Sequence, residues 1–168
     1  MKKIIFIAGM ILIILLFLTA CSGNDKIGEK NFYNFKFTLN FGAAGGINCI
    51  DTYNSKFTKD LIQNGTETID FIIPEDKMRE IYEAFLEYNI AELPDDVSRN
   101  DTYISPKYTY IFTYTWGNET RTIMCDAVYT YKAPDAHIRF VNFADMIREY
   151  ICGTEEYKNM PPAEGGYY

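Results

Sequence analysis

Strict alternation of apolar and polar residues opens the folded part of the chain and predicts a half-buried strand. Between residues 33 and 41 the odd positions are apolar and the even positions are polar. Because successive side chains of a strand point to opposite faces, this alternation places one face on a core. The stretch 42–46 is rich in glycine but leads into another extended segment, so it predicts a turn rather than a phosphate-binding loop.

Asn64-Gly65 is a strong hairpin signal, because both residues tolerate the positive φ of a two-residue turn. It predicts a hairpin from residue 58 to residue 73, with Gln63 opposite Thr66. A second hairpin is predicted around Gly117-Asn118, and its pairing sets Phe112 opposite Ile123. Five aromatic residues share the side of its first strand that this pairing turns toward a core: Tyr108, Tyr110, Phe112, Tyr114 and Trp116.

The other side of the second hairpin is the candidate binding surface. It is rich in threonine, which suits a solvated sheet face, and it includes Thr113 and Met124. Trp116, at the hairpin end, is the aromatic residue that we expect to be most exposed. These three residues are the predicted contact surface for a partner.

Two helices complete the predicted domain. Pro74-Glu75-Asp76 begins the first, since proline is tolerated in the first turn and acidic residues favour the positive end of the helix dipole. Asp135 is a suitable N-cap for the second, and Gly153 ends it. Residues 31–153 are therefore predicted to form one α+β domain with two layers, in which an antiparallel sheet of about four or more strands packs against two helices. The tail, 154–168, is rich in proline and glycine and is predicted to be disordered.

The first 21 residues follow a pattern of their own. Lys2-Lys3 precedes an uncharged apolar run over 4–18, which is shorter than the roughly 20 residues of a spanning helix. Two small residues, Thr19-Ala20, then precede Cys21. This arrangement resembles a bacterial lipoprotein signal peptide with its lipobox. The alternative is an uncleaved transmembrane helix with a chance cysteine.

The resemblance implies that residues 1–20 are removed and that Cys21 receives a diacylglyceryl group and becomes the mature N-terminus. Residues 21–30 would then be the lipidated cysteine and a polar tether. Two acyl chains are enough for stable anchoring, whereas one chain binds a membrane only marginally. The implied location is the extracytoplasmic face of the cell membrane.

The charge of the mature chain limits its partners. Without residues 1–20 the chain has 148 residues, 14 of them basic and 23 acidic, for a formal charge of −9. Nucleic acid is excluded as a partner, because phosphate contacts require clustered lysine and arginine. Anionic lipid would repel the domain, so the lipid on Cys21 is the predicted link to the membrane.

Candidate catalytic chemistry is sparse. His137 is the only histidine, and we interpret it as a solvated residue in the first turn of the second helix. Asp95, Asp96 and Asp101 share a loop and could hold calcium, but their spacing does not match an EF-hand, which favours solvated charges. No motif predicts a catalytic residue, a metal site or a cofactor.

Three cysteines remain in the mature chain, namely Cys49, Cys125 and Cys152. An odd number leaves at least one unpaired within a monomer. Their spacing matches no zinc motif and no C-x-x-C motif, so the sequence favours buried thiols and leaves one disulfide open.

Several segments of the mature chain resemble small uncharacterised lipoproteins of Gram-positive bacteria. The resemblance spans about residues 30–152 and rests on residues 37–42, 51–52, 58–61 and 77–82. It implies a location and a fold but no activity. The predicted function is a non-enzymatic module that binds another envelope or secreted component. The alternative is a cell-surface hydrolase or an enzyme inhibitor.

Overall fold

The computed structural model describes residues 31–99, 106–126 and 131–167. The predicted signal peptide, Cys21, the tether and Asp101 therefore lie outside the described residues. The described residues form a six-stranded antiparallel sheet with helices packed on it, which confirms the predicted α+β class. In this part of the chain, no helix has both the length and the apolar composition needed to cross a membrane.

The sheet has the spatial order β4-β3-β2-β1-β5-β6. Strands β1 to β4 form a meander, and the chain then returns through the first helix to place β5 on the free side of β1. The strands are β1 (Lys36–Gly42), β2 (Asn48–Asp51), β3 (Lys56–Asp60), β4 (Thr66–Asp70), β5 (Thr109–Trp116) and β6 (Glu119–Asp126). The helices are α1 (Glu75–Glu87), α2 (Asp135–Gly153) and α3 (Glu155–Asn159), with a 3-10 turn at Ile90–Glu92.

Both long helices begin directly after a proline. Pro74 precedes α1 and Pro134 precedes α2. Proline has no N–H group, but N–H groups at the start of a helix have no acceptor within the helix, so no helical hydrogen bond is lost. Asp135, predicted as the N-cap of α2, is instead its first helical residue. Its carboxylate accepts a hydrogen bond from Nε of Arg139 at 2.8 Å.

The core lies between the inner face of the sheet and the two long helices. The predicted alternation is confirmed along β1, because Phe37, Leu39 and Phe41 are buried, but the strand begins only at Lys36, and Tyr33 is helical and 63% exposed. The ring of Phe112 on β5 packs against the ring of Phe143 on α2, with 5.1 Å between the centroids. Each such buried side chain contributes about 1.5–3 kcal/mol of transfer free energy.

The two hairpins differ in how well local turn signals predicted them. On β5 and β6, Phe112 lies opposite Ile123, as the two-residue turn predicted. On β3 and β4, however, Asp60 lies opposite Thr66, so the predicted pairing of Gln63 with Thr66 is wrong.

A five-residue loop explains the shifted register of the first hairpin. The amide of Leu61 donates to the carbonyl of Gly65 at 2.9 Å, and the carboxylate of Asp60 accepts from the amide of Ile62. Ile62 then forms a bridge with Glu164 of the tail instead of pairing within the hairpin. The loop therefore leaves the ladder before the Asn64-Gly65 turn.

The segment after α2, for which the composition predicted disorder, is folded onto the domain. The Thr154 side chain accepts from the amide of Tyr157 and caps α3. Met160 is buried. Near the end of the chain, the Tyr167 hydroxyl donates to the Asp60 carboxylate at 2.6 Å. The tail thus runs along one end of the sheet.

Candidate binding surfaces

The outer face of the sheet carries short polar side chains, because the helices pack on the inner face. Hydroxyl pairs join neighbouring strands across it, each with 2.9 Å between the oxygens: Thr58 with Thr68, Thr113 with Thr122, and Thr115 with Thr120. Tyr53 adds its hydroxyl to Thr115 at 2.8 Å. Since each hydroxyl has two lone pairs and one proton, the paired threonines keep capacity to bind an external group.

Two of the three predicted contact residues lie on this outer face. Thr113 is opposite Thr122, and Met124, which is 37% exposed, is diagonal to Thr113 across the β5–β6 pair. Trp116 lies on the inner face instead. Its ring packs edge-on against Phe85 with 5.5 Å between centroids, and it is half-buried. The structure therefore brings Thr113 and Met124 together and separates Trp116 from them.

His137 is buried, with 1% of its surface exposed, so its interpretation as a solvated helix residue is wrong. Its Nδ1 lies 2.8 Å from the carbonyl oxygen of Val97 and 3.6 Å from Sγ of Cys125. A thiol beside an imidazole is a familiar nucleophile. Here, however, burial raises the pKa of Cys125 to about 12, with Asp126 adding to the effect, so the thiol stays protonated in the core.

The carboxylates of Asp95 and Asp96, which were the candidate calcium ligands, already have partners within the domain. Asp95 forms an ion pair with Arg121 at 2.5 Å. The carboxylate of Asp96 accepts from the amide of Ser98 at 2.8 Å, and its hydrogen bonds to Ser98 lower its pKa. Within the described ranges, no three His, Cys, Asp or Glu side chains are grouped to hold a metal ion.

The three thiols of the folded domain are free. Cys49 lies on the outer face, opposite Asn40 in the register of β1 and β2. Cys125 lies on the inner face, in the core. Burial, with a smaller effect of Asp51, raises the pKa of Cys49 to about 11. Burial also raises the pKa of Cys152, near the end of α2. The sheet itself thus separates Cys49 from Cys125.

A cleft of about 290 Å³ at one end of the sheet was not anticipated from the sequence. It lies where β3 ends, between the C-terminal part of α2 and the tail. Polar side chains are concentrated in its lining: Asn48, Lys59, Asp60, Tyr108, Arg148, Cys152, Tyr157 and Tyr167.

Lys59 is the unusual member of this lining, since it is 8% exposed and points to the inner face of the sheet. Its Nζ lies 4.4 Å from the centroid of the Tyr157 ring. One signal in the sequence could have found it, because the strand alternation puts Lys59 on the same side as Phe57. The cleft itself depends on contacts from α2, α3 and the tail.

The surroundings of Arg148 link the cleft to the core. Its Nε donates to the Tyr110 hydroxyl at 2.9 Å and to the Asp145 carboxylate at 3.0 Å. Burial raises the pKa of Tyr108, so its hydroxyl keeps its proton and stays a donor. Burial likewise raises the pKa of Tyr157. The lining thus holds two cations, three protonated phenols including Tyr167, and the carboxylate of Asp60.

Comparisons with protein-family models, with curated proteins and with solved structures found no match to this chain.

Proposed function

We propose that this chain is a lipid-anchored protein on the extracytoplasmic face of the cell membrane, and that its folded domain is a non-enzymatic module that binds another envelope or secreted component. The pattern over residues 1–21 supports the anchor, with Cys21 as the lipidated residue. The described residues begin at Asn31, ten positions after Cys21, and the intervening segment is the proposed tether.

The observation that supports a binding module is the open outer face of the sheet. Neighbouring strands are about 4.8 Å apart, so six strands give a surface about 24 Å wide. Its threonine side chains are short, and the Thr113 hydroxyl is already paired with that of Thr122. Docking of a partner would therefore cost little side-chain conformational entropy. Met124 and Ile111 add an apolar patch toward one end.

The cleft gives less support to the hydrolase alternative. A glycosidase-type mechanism needs two carboxyl groups with different pKa values flanking one bond. Among the described residues that line the cleft, Asp60 is the one carboxylate. Its oxygens already accept from the Ile62 amide and the Tyr167 hydroxyl.

Lipidation is tested by substituting Cys21→Ser in cells supplied with a clickable fatty acid. We expect the native chain to be labelled and to sediment with membranes, and the variant to lose the label and keep residues 1–20. Cys49→Ser is the matched control and should be labelled normally. Normal labelling of the Cys21→Ser variant would contradict the proposed anchor.

Partner binding is tested by crosslinking in intact cells, followed by purification of the full chain and mass spectrometry. Thr122→Lys and Thr113→Lys place a charge on the outer face, and we expect both to reduce capture of the partner. Glu83→Gln changes the charge by the same amount on the exposed side of α1 and should capture as well as the native chain. Equal capture by all variants would rule out the outer face as the docking surface.

A further inference from the structure

Most of the Lys59 side chain is buried, but its Nζ keeps access to solvent, and the residue lines the cleft. Lysine is almost never fully buried unless an acidic partner compensates its charge. Lys59 is 8% exposed, and it forms no ion pair and no hydrogen bond with any described residue. Its ammonium lies over the Tyr157 ring, and this cation–π contact is worth about 0.5–2 kcal/mol but supplies no counter-ion.

Two carboxylates at or beside the cleft already have partners: Asp60 in its lining and Asp145 next to Arg148. Asp60 accepts hydrogen bonds from the Ile62 amide and the Tyr167 hydroxyl. Asp145 accepts from the Tyr110 hydroxyl and from Nε of Arg148. Neither carboxylate forms an ion pair with Lys59, although Asp60 lines the same cleft, so the ammonium group is left to pair with an anionic ligand.

Other donors converge on the same space. Arg148 lines the cleft, and its Nη1 has no partner among the described residues. Tyr108 and Tyr157 line it as well, and burial keeps both hydroxyls protonated by raising their pKa values. Cations together with protonated hydroxyls are the groups that bind an oxyanion, through charge-assisted hydrogen bonds.

We propose that this cleft binds a small organic anion, and that a carboxylate or phosphate of the ligand forms an ion pair with Lys59. A volume of about 290 Å³ suits a small molecule rather than a polymer. Phe41, with the rings of Tyr108 and Tyr157, gives the ligand body an apolar wall beside the charged end. This site lies at the end of the sheet and is independent of the outer face.

The test measures binding of inorganic phosphate and of acetate to the full chain, labelled with nitrogen-15 and held in detergent micelles. Chloride replaces each probe at equal ionic strength, because screening alone shifts surface charges. We expect amide shifts at Asn48 and Tyr157 in the cleft and none at Thr122 on the outer face. Phosphate shifts alone would assign the site to phosphate esters, and acetate shifts alone to carboxylates.

Two lysines of β3 supply matched variants. Lys59→Met should raise the dissociation constant for the bound probe about tenfold or more, which corresponds to loss of one charge-assisted contact. Lys56→Met removes the same charge from the exposed outer face, where Lys56 pairs with Asp70, and should leave the constant unchanged. Lys59→Gln, which keeps a neutral donor, should bind more weakly than the native chain.

Three outcomes would overturn the proposal. The first is that neither probe shifts any cleft amide, and the second is that Lys59→Met and Lys56→Met bind the probe equally. The third is that the shifts map to the outer face or to the exposed side of α1. Folding of Lys59→Met is checked by far-ultraviolet circular dichroism, and we expect it to be retained because a lysine without an acidic partner is replaced by an apolar side chain of similar length.

Discussion

The Tyr110 hydroxyl donates a hydrogen bond to Oδ1 of Asp145 at 2.5 Å, joining β5 to α2. The same hydroxyl accepts from Nε of Arg148 at 2.9 Å. Burial holds the pKa of Tyr110 well above its usual range, and the hydrogen bond to Asp145 raises it further. The phenol is therefore a permanent donor, and α2 is attached to the sheet by a closed set of three polar side chains.

We expect Tyr110→Phe to lower the free energy of unfolding by about 1–3 kcal/mol, because Asp145 and Arg148 lose a buried partner. Equilibrium unfolding in urea measures this. Tyr53→Phe removes the same atom on the exposed outer face and should cost less than about 1 kcal/mol. An equal decrease in unfolding free energy in the two variants would show that the contact to Asp145 stabilises the domain no more than an exposed hydroxyl contact does.

Arg121 should not be replaceable by lysine. Its guanidinium donates to the carbonyls of Ala91 and Leu93, at 2.5 and 2.9 Å, and thereby attaches the 3-10 turn to β6. A single ammonium cannot reproduce this fork, so Arg121→Lys should destabilise the domain by about 1–2 kcal/mol. Lys158→Arg, at an exposed pair with Glu155, should change the unfolding free energy by less than about 0.5 kcal/mol in the same urea experiment. A cost for Arg121→Lys as small as this control's would contradict the prediction.

The buried thiol of Cys125 should make the domain less stable in alkali. Burial raises its pKa from 9.0 to about 12, so the unfolded chain loses this proton at lower pH than the folded chain does. The contribution to stability is therefore complete below pH 9 and is lost as the pH rises toward 12.

We expect the difference in unfolding free energy between the native chain and Cys125→Ala to shrink by about 1.4 kcal/mol from about pH 8 to about pH 10. The tyrosines are identical in the two proteins, so their titration cancels. Urea unfolding at both pH values measures the difference. A difference that does not change with pH would show that the Cys125 thiol ionises as easily in the folded chain as in the unfolded one.

Trp116 should matter for stability and not for the proposed partner. Its Nε1 donates to the Tyr82 hydroxyl at 3.2 Å, and its ring packs against Phe85 on the inner side of the sheet. Trp116→Phe should therefore lower the unfolding free energy by about 1 kcal/mol and leave partner capture unchanged. Loss of capture at native stability would return Trp116 to the contact surface.

Local patterns were sufficient where neighbouring residues decide the structure. The alternation along β1 predicted the buried position of Phe37, because the two faces of that strand meet different surroundings. The two-residue turn after Trp116 predicted Phe112 opposite Ile123, since turn length sets the register of a hairpin.

Local patterns failed where distant segments decide the structure. The register at Asp60 depends on Glu164, which lies about 100 residues away and takes the loop out of the ladder. His137 is buried because the carbonyl of Val97, from another part of the chain, lies within hydrogen-bonding distance of its ring. The alternation showed the side of β3 that carries Lys59, but the walls around it come from α2, α3 and the tail.

If Cys21 carries the proposed lipid, the direction of β1 determines which end of the domain lies nearer the membrane. Asn31, the first described residue, lies beside Gly117, so β1 begins at the end of the sheet that carries the β5–β6 turn. It ends at Gly42, in the wall of the cleft, about 20 Å away at the rise of an extended chain. With the proposed lipid on Cys21 attached at the Asn31 end of the sheet, the cleft would lie at the opposite end. The end near Asn31 would then be the attached end, and the end that carries Lys59 and the cleft would face away from the membrane.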